Sequence, residues 1–523
     1  MPTKLGARSL VIALALTNGF LYVCALPLWE GFDEPFHYAY VQSVSVKRRL
    51  PVLNQSRVSE EICQSLKAVP LSRLLAGSVP DSISFEAWSK LDDAAKVSRL
   101  QALEPISPEL RGRPSSLMNY EAQQAPLAYL TLAPFDAFLS SLHLANRVLI
   151  LRLLVTAGGA LLLFAGLERL AQTIGLRDAF EIAALACVFE SQMLWASIAH
   201  IGNDWLAVPL TVCWVACLAI TMRKPSARNV LLLAMILALG LLAKAYFLAF
   251  VPVFIALLVY LAVRKFVSWG TLGLALAIVA GAGAPWYVHN LFLYGSLSGT
   301  QQSVAGIGIA RAFDALAHIN WAESTVNFAR WSLWTGNWSF VSFSKNTLNA
   351  ELILLMVAFG CYLLQWRSIT APQIWTLFAC AWFAAGLIYQ AGVAWVHTNG
   401  ISTNPEPWYA QGIIACLWIL CFLALQRGKT AARWIASALV MLTAWVAAAT
   451  YLAKLLPYYG GAVTRSSARA VLGWWSRHPT MDLSAVLVVP VWVVYLLLAV
   501  FSAVLVVTTA QVLILLWRPI ARY

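Results

Sequence analysis

The chain has 523 residues, of which 60% are hydrophobic and only 11% charged, and it carries a formal net charge of +13. A soluble domain that apolar would expose large sticky patches, which a bilayer removes, so the composition excludes an ordinary soluble protein. The basic residues lie at the ends of apolar runs without interleaved aromatic clusters, which argues against a nucleic-acid partner.

Taken in chain order, runs apolar enough to cross about 30 Å of hydrocarbon fall near 9–28, 147–166, 179–199, 205–222, 229–243, 246–264, 267–285, 350–366, 373–395, 408–426, 434–453 and 486–517. They predict an all-α polytopic membrane protein of about twelve transmembrane helices. The first run follows Lys4 and Arg8 and lacks an A-x-A cleavage site, so it reads as a retained span and not a removed signal. Eight of the nine cysteines fall in apolar runs, with no CxxC and no zinc spacing, and read as small core or lipid-facing residues.

Short loops with Arg or Lys mark the cytoplasmic side, from Arg169 and Arg177 through Arg223, Arg264, Arg367 and Arg427 to Arg518 and Arg522. Both termini are then expected in the cytoplasm, with the chain in a plasma or inner membrane. Residues 125–142 are apolar as well, but counting them as a span would flip every later basic loop. With Pro126, Pro134 and Asp136 in that stretch, the expectation is a helix lying in the outer interface.

That parity leaves three long loops outside, at 29–146, 286–349 and 454–485. The seven histidines (37, 143, 200, 289, 318, 397, 478) fall on or near the same side. The expected division is a transmembrane unit over 1–455, including loops 29–146 and 286–349, followed by 456–523 as an exterior loop with the last span. The stretch 57–115 reads as a soluble, helical cap punctuated by prolines.

Four polar groups should meet on that outer face. The first is FDEPFHYAY, with Asp33, Glu34, His37 and Tyr38; carboxylates at a membrane boundary are costly unless solvated or paired, so the pair marks chemistry, ion binding or a plain helix end. The second is NYEAQQAPLAY, where Tyr120, Glu121, Gln123 and Gln124 are suited to sugar hydroxyls, or Glu121 merely opens a helix. The third is Asn203-Asp204, which caps the next helix and also faces a pocket in the functional reading. The fourth is Lys244, the one basic residue in a short exterior turn, either snorkelling or holding a lipid phosphate. Farther on, Trp286, His289, Asn290 and Tyr294, then Arg330, Trp334 and Trp338, supply aromatic platforms and a cation, though aromatics also furnish the interface belt. No Walker loop, Rossmann fingerprint, HExxH or Gly-x-Ser-x-Gly element is present, so cytoplasmic nucleotide chemistry is not expected.

The order of these parts resembles the GT-C superfamily of polytopic glycosyltransferases, in particular the bacterial family that includes aminoarabinose transferases and protein O-mannosyltransferases. The matching elements are Asp33-Glu34, Glu121 through Pro126-Leu127-Ala-Tyr129, Arg147 or Arg152 leading the second span, Asn203-Asp204, and Trp286-Tyr287-Val-His289-Asn290 before Tyr294-Gly295. The resemblance spans roughly residues 8–300. It departs at His289, where such proteins usually carry Arg, and at the single Pro126 in place of Pro-Pro.

The resemblance implies a polyprenyl-phosphate-linked sugar donor in the outer leaflet and inverting transfer to a lipid, glycan or protein acceptor. Asp33 would be the base. Glu34 would orient the acceptor, or hold a divalent metal, which the sequence neither requires nor excludes. Lys244, with Arg147 or Arg330, would bind phosphate. Two other readings remain open: a polytopic transporter, for which Glu190 inside a span is the pointer, and an O-antigen-type ligase or polymerase.

Overall fold

The computed structural model describes residues 4–299, 306–462, 468–477 and 480–518; His478 and Arg522 lie outside them. Among the described residues, ten helices are long and apolar enough to cross a membrane. An eleventh span arises if Asp178–Glu190 and Gln192–Ile198, bent by 60° at Ser191, are taken together. The shorter helix Ala227–Ala243 fills the remaining place among the expected spans. The chain is thus predominantly helical and multi-pass.

The helix Leu127–Phe138 has 12 residues, about 18 Å of rise, too little to cross the hydrocarbon. It packs along Glu34–Lys47, as a surface-lying helix should. In the bundle, Leu144–Ile174 runs against Asp204–Arg223, and the first helix, Lys4–Ala25, packs on both Leu144–Ile174 and the last helix, Val491–Trp517. Small residues permit the close approach: a Cβ on Gly159 would lie 3.0 Å from the Trp205 carbonyl oxygen. At the bend, the freed Phe189 carbonyl accepts from Asn18 Nδ2 at 2.9 Å and Trp195 Nε1 at 3.0 Å, so the break leaves that acceptor satisfied.

The cap is built from short helices, as expected, together with two small sheets that hydropathy did not indicate. Arg57–Ser59 pairs antiparallel with Pro114–Met118, and Pro70–Leu71 pairs parallel with Ile83–Ser84. Buried polar contacts tie the cap to the bundle. Trp29 Nε1 donates to Ser65 Oγ at 2.9 Å, Gln42 Nε2 to Glu61 at 2.7 Å, and Arg147 is ion-paired with the same Glu61. Tyr38, Ser45 and Arg111 all converge on Asp136 of the surface-lying helix. The later loop also returns to this region, where Ser339 N donates to Glu30 Oε1 at 2.8 Å.

Candidate active site

The site begins where the first helix ends. Trp29 and Asp33 both adopt left-handed backbone, with φ of 67° and 54°. Positive φ is uncommon for non-glycine residues, although Asp tolerates it, and such residues gather at functional sites. Gly31 between them lies flat on His200, where a Cβ would come within 2.5 Å of that side chain. This tight turn reverses the chain and starts the helix Glu34–Lys47, with Asp33 as the residue before its first turn and Pro35 within that turn.

The turn sends its two adjacent carboxylates to different places. Glu34 is completely buried. It takes a two-pronged contact from Arg152, 2.7 Å on the Nε side, and accepts from Ile201 N at 3.0 Å. The remaining Arg152 N–H groups hold the carbonyls of Leu26 and Pro27 at 2.9 and 3.0 Å. Burial alone would raise the Glu34 carboxyl, but the Arg152 guanidinium and these hydrogen bonds bring it below the usual range. Asp33 instead keeps part of its surface open and accepts the Tyr120 hydroxyl proton.

Around Asp33 the distant segments close in. Glu121, adjacent to Tyr120, is buried and accepts from Gln124 Nε2 at 2.6 Å. Gln124 Oε1 accepts from Asn203 Nδ2 at 3.0 Å, which joins this segment to Asn203-Asp204. Asp204 Oδ2 accepts from Lys244 Nζ at 2.6 Å, while its buried Oδ1 has no hydrogen-bond partner among the described residues. The Lys244 ammonium also stands 4.7 Å from the centre of the Tyr409 ring and 5.5 Å from that of Tyr246. Phe32 stacks on Trp408 at 4.2 Å, closing the side toward Glu406.

Four carboxylates and one lysine therefore share this environment, and they cannot all ionise cheaply. Asp33 is raised by burial, opposed by the Tyr120 hydrogen bond and the Lys244 charge, and raised further by Asp204. Burial and then Asp33 push Glu121 up to about 8. Glu406 is exposed at the rim of the cluster, where the surrounding protein and then the Asp33 charge raise it. His37, whose Nδ1 meets the Tyr129 hydroxyl at 2.8 Å, is pushed well down by burial and stays neutral near pH 7.

The sign of the resulting pH dependence follows. Glu121 and the buried Glu30, the latter also raised to about 8 by burial, are protonated in the folded chain where their unfolded counterparts are not. Stability therefore falls as pH rises through the interval from an ordinary value near 4.5 to about 8. The thermal midpoint in detergent is expected to drop steadily between pH 5 and pH 8, and Glu30→Gln with Glu121→Gln should flatten the slope. A slope unchanged in that double variant would refute the assignment.

Of the residues singled out in the sequence, Asp33, Tyr120, Glu121, Gln124, Asn203, Asp204 and Lys244 come together, with His37 alongside. The others make contacts elsewhere. Tyr38 donates to Asp136, and Arg147, wholly buried, pairs with Glu61. Tyr294 Oη accepts from Leu53 N in the cap at 3.1 Å. His289 is exposed beside Trp286, and Arg330 donates to Asn349 Oδ1 at 2.7 Å.

Glu406, Trp408, Tyr409 and Tyr246 belong to the cluster and were missed. A usable signal existed in Pro405-Glu406-Pro407-Trp408-Tyr409, an acid beside proline with aromatics at the entry to an apolar run, as in Asp33-Glu34-Pro35-Phe36. Among the described residues no group of three or more His, Cys, Asp or Glu side chains is placed to hold a metal ion.

No protein-family model matches the chain, and no curated protein matches it in sequence. Among solved structures, it is similar to ArnT from Cupriavidus metallidurans bound to undecaprenyl phosphate, with a TM-score of 0.49 and 14% identity over 98% of this chain and 77% of that one. The same enzyme in its apo state gives a TM-score of 0.41 and 14% identity over 91% and 74% of the two chains.

Proposed function

We propose that the protein is an integral-membrane glycosyltransferase that moves a sugar from a polyprenyl-phosphate donor to an acceptor on the cap side of the membrane. The cap side is taken as the exterior because the short loops opposite it carry the arginines and lysines. The observation that carries the reading is the cluster itself. Asp33, Glu121, Asp204 and Lys244 come from four separate segments to one partly open, largely buried environment at the exit of the first helix. The order of the sequence motifs supports the same assignment.

In this mechanism the acceptor oxygen attacks the anomeric carbon as the bond to the donor phosphate oxygen breaks. Its proton passes to Asp33, whose basicity is strengthened by burial, while Tyr120 holds the carboxylate in place. The departing phosphate gains negative charge, and among the described residues Lys244 is the cation placed inside the cluster to balance it. Lys244 is held by Asp204 here, so the phosphate must compete for the ammonium, and Asp204 becomes the group that releases and recovers it. Glu34 serves by position: locked on Arg152, it fixes the turn that aims Asp33.

Lys244→Met is expected to cut turnover by roughly 10²–10³, the usual loss for one charge-stabilising donor. It should also raise the donor KM, measured as transfer of radiolabelled sugar from a synthetic polyprenyl-phosphate sugar in detergent. Wild-type kinetics in that variant would remove Lys244 from the mechanism. The transporter alternative rests on Glu190, buried at the 60° bend with Oε1 unpartnered among the described residues; sugar flux into sealed vesicles without bond cleavage would favour it.

A further inference from the structure

We propose that a basic pocket at the far end of the helix Glu34–Lys47 binds the phosphate of an anionic lipid headgroup. The cavity, about 590 Å³, is lined by Lys47, Arg49 and Arg57 with Ser43, Gln55 and Asn119 among its neutral walls; no described lining residue is acidic. The cations are mounted on separate, anchored pieces of backbone. Arg48 ends the helix in left-handed conformation with φ of 52°, and Ser43 Oγ donates to the Arg49 carbonyl at 3.2 Å, which fixes the turn carrying Arg49. Arg57 lies on the strand Arg57–Ser59, where its Nη1 donates to the Ser116 carbonyl at 2.9 Å.

Lysine and arginine at a helix C-terminus ordinarily just complement the dipole. Arg57, from the strand across the pocket, is outside that explanation. Three cations facing one cavity repel one another, and burial with the Arg49 charge lowers Lys47 from its ordinary value. An oxyanion relieves both, and arginine presents paired N–H groups matched to phosphate.

The surroundings identify the anion as a lipid's. Ser45, two residues before Lys47, is hydrogen-bonded to Asp136 of the surface-lying helix Leu127–Phe138. Val46 and Leu50, which flank Lys47 and Arg49 in the chain, are each 39% exposed, and Val46 reaches the Gly112 wall of the pocket, its Cγ1 standing 3.8 Å from where a Cβ on Gly112 would lie. Exposed apolar side chains next to a cationic cavity roomy enough for a whole headgroup suit acyl chains and phosphate together. Asn119, in the pocket wall, immediately precedes Tyr120 and Glu121, so a lipid held there sits at the edge of the acidic cluster.

The test is native mass spectrometry of the full chain in an uncharged detergent, titrated with dioleoyl phosphatidylglycerol and, in parallel, with dioleoyl phosphatidylcholine. Saturable, selective retention of the phosphatidylglycerol is expected. Arg49→Ala with Arg57→Ala should weaken it about twentyfold, Arg49→Ala alone about fivefold, and the paired Lys substitutions, which keep the charge but lose the paired N–H groups, should fall between wild type and the double Ala variant. Both arginines are exposed, and an unchanged thermal midpoint confirms folding. Equal retention by the double Ala variant, or equal binding of phosphatidylcholine, would overturn the proposal. Displacement of the lipid by inorganic phosphate at similar concentration would overturn its assignment to a lipid. Because binding is read without turnover, failure here is distinct from failure of the transferase reading.

Discussion

Asp33→Asn is expected to lower sugar transfer by about 10³–10⁴, at the upper end of what a general base contributes, while the folded protein is recovered in normal yield. The substitution removes the proton acceptor and little else. Asparagine has nearly the same shape, its Oδ1 still accepts the Tyr120 hydroxyl, and its backbone also tolerates the left-handed φ of 54° found here. The turn and the adjoining Glu34–Arg152 pair should therefore survive. Glu121→Gln should cost less, because Glu121 is protonated over most of the working range and glutamine, like the neutral acid, offers both a donor and an acceptor. Single-turnover transfer from a polyprenyl-phosphate sugar, beside the thermal midpoint of each variant, separates loss of chemistry from loss of fold. Undiminished turnover in Asp33→Asn would leave the cluster without its base and would move suspicion to Glu406.

The helices were legible because hydrocarbon thickness imposes a length that apolar runs must meet, and the parity of basic loops correctly kept Leu127–Phe138 out of the spanning set. The bend at Ser191 was not legible, since its compensation comes from Asn18 and Trp195, side chains whose proximity only the fold creates. The small sheets of the cap escaped for a similar reason: strands of two to five residues leave no period to detect. Within the site, Asp33, Glu121, Asp204 and Lys244 stood out because charge at a membrane boundary is costly and therefore conspicuous. Sequence could not separate charges that meet each other from charges consumed locally. Arg147 looked as available as Lys244, yet it is spent on Glu61 under the cap. Glu406 was overlooked because it lies far along the chain, and it is brought to the site by its neighbours Trp408 and Tyr409, which meet Phe32 and Lys244.

Arg152→Ala is expected to destabilise the protein by about 3–5 kcal/mol, the cost of removing one partner from a buried ion pair. The reason is the economy of the site: Arg152 is 1% exposed and Glu34 not at all, and the guanidinium satisfies the carboxylate and two helix-end carbonyls at once. Its loss would leave an uncompensated carboxylate in a bundle interior and free the turn that places Asp33. Glu34→Gln should be milder, since the amide still accepts from Ile201 N and from the guanidinium, although a buried cation then lacks its counter-charge. The diagnostic is the contrast with Asp33. Arg152 and Glu34 variants should lose thermal stability and yield first, and whatever folds should retain measurable turnover, whereas Asp33→Asn should fold normally and turn over hardly at all. If Glu34→Gln instead folded with an unchanged midpoint and lost transfer as completely as Asp33→Asn, Glu34 would have to act on substrate directly. The turn would then have to open for reaction, because in its present arrangement no part of that carboxylate is accessible.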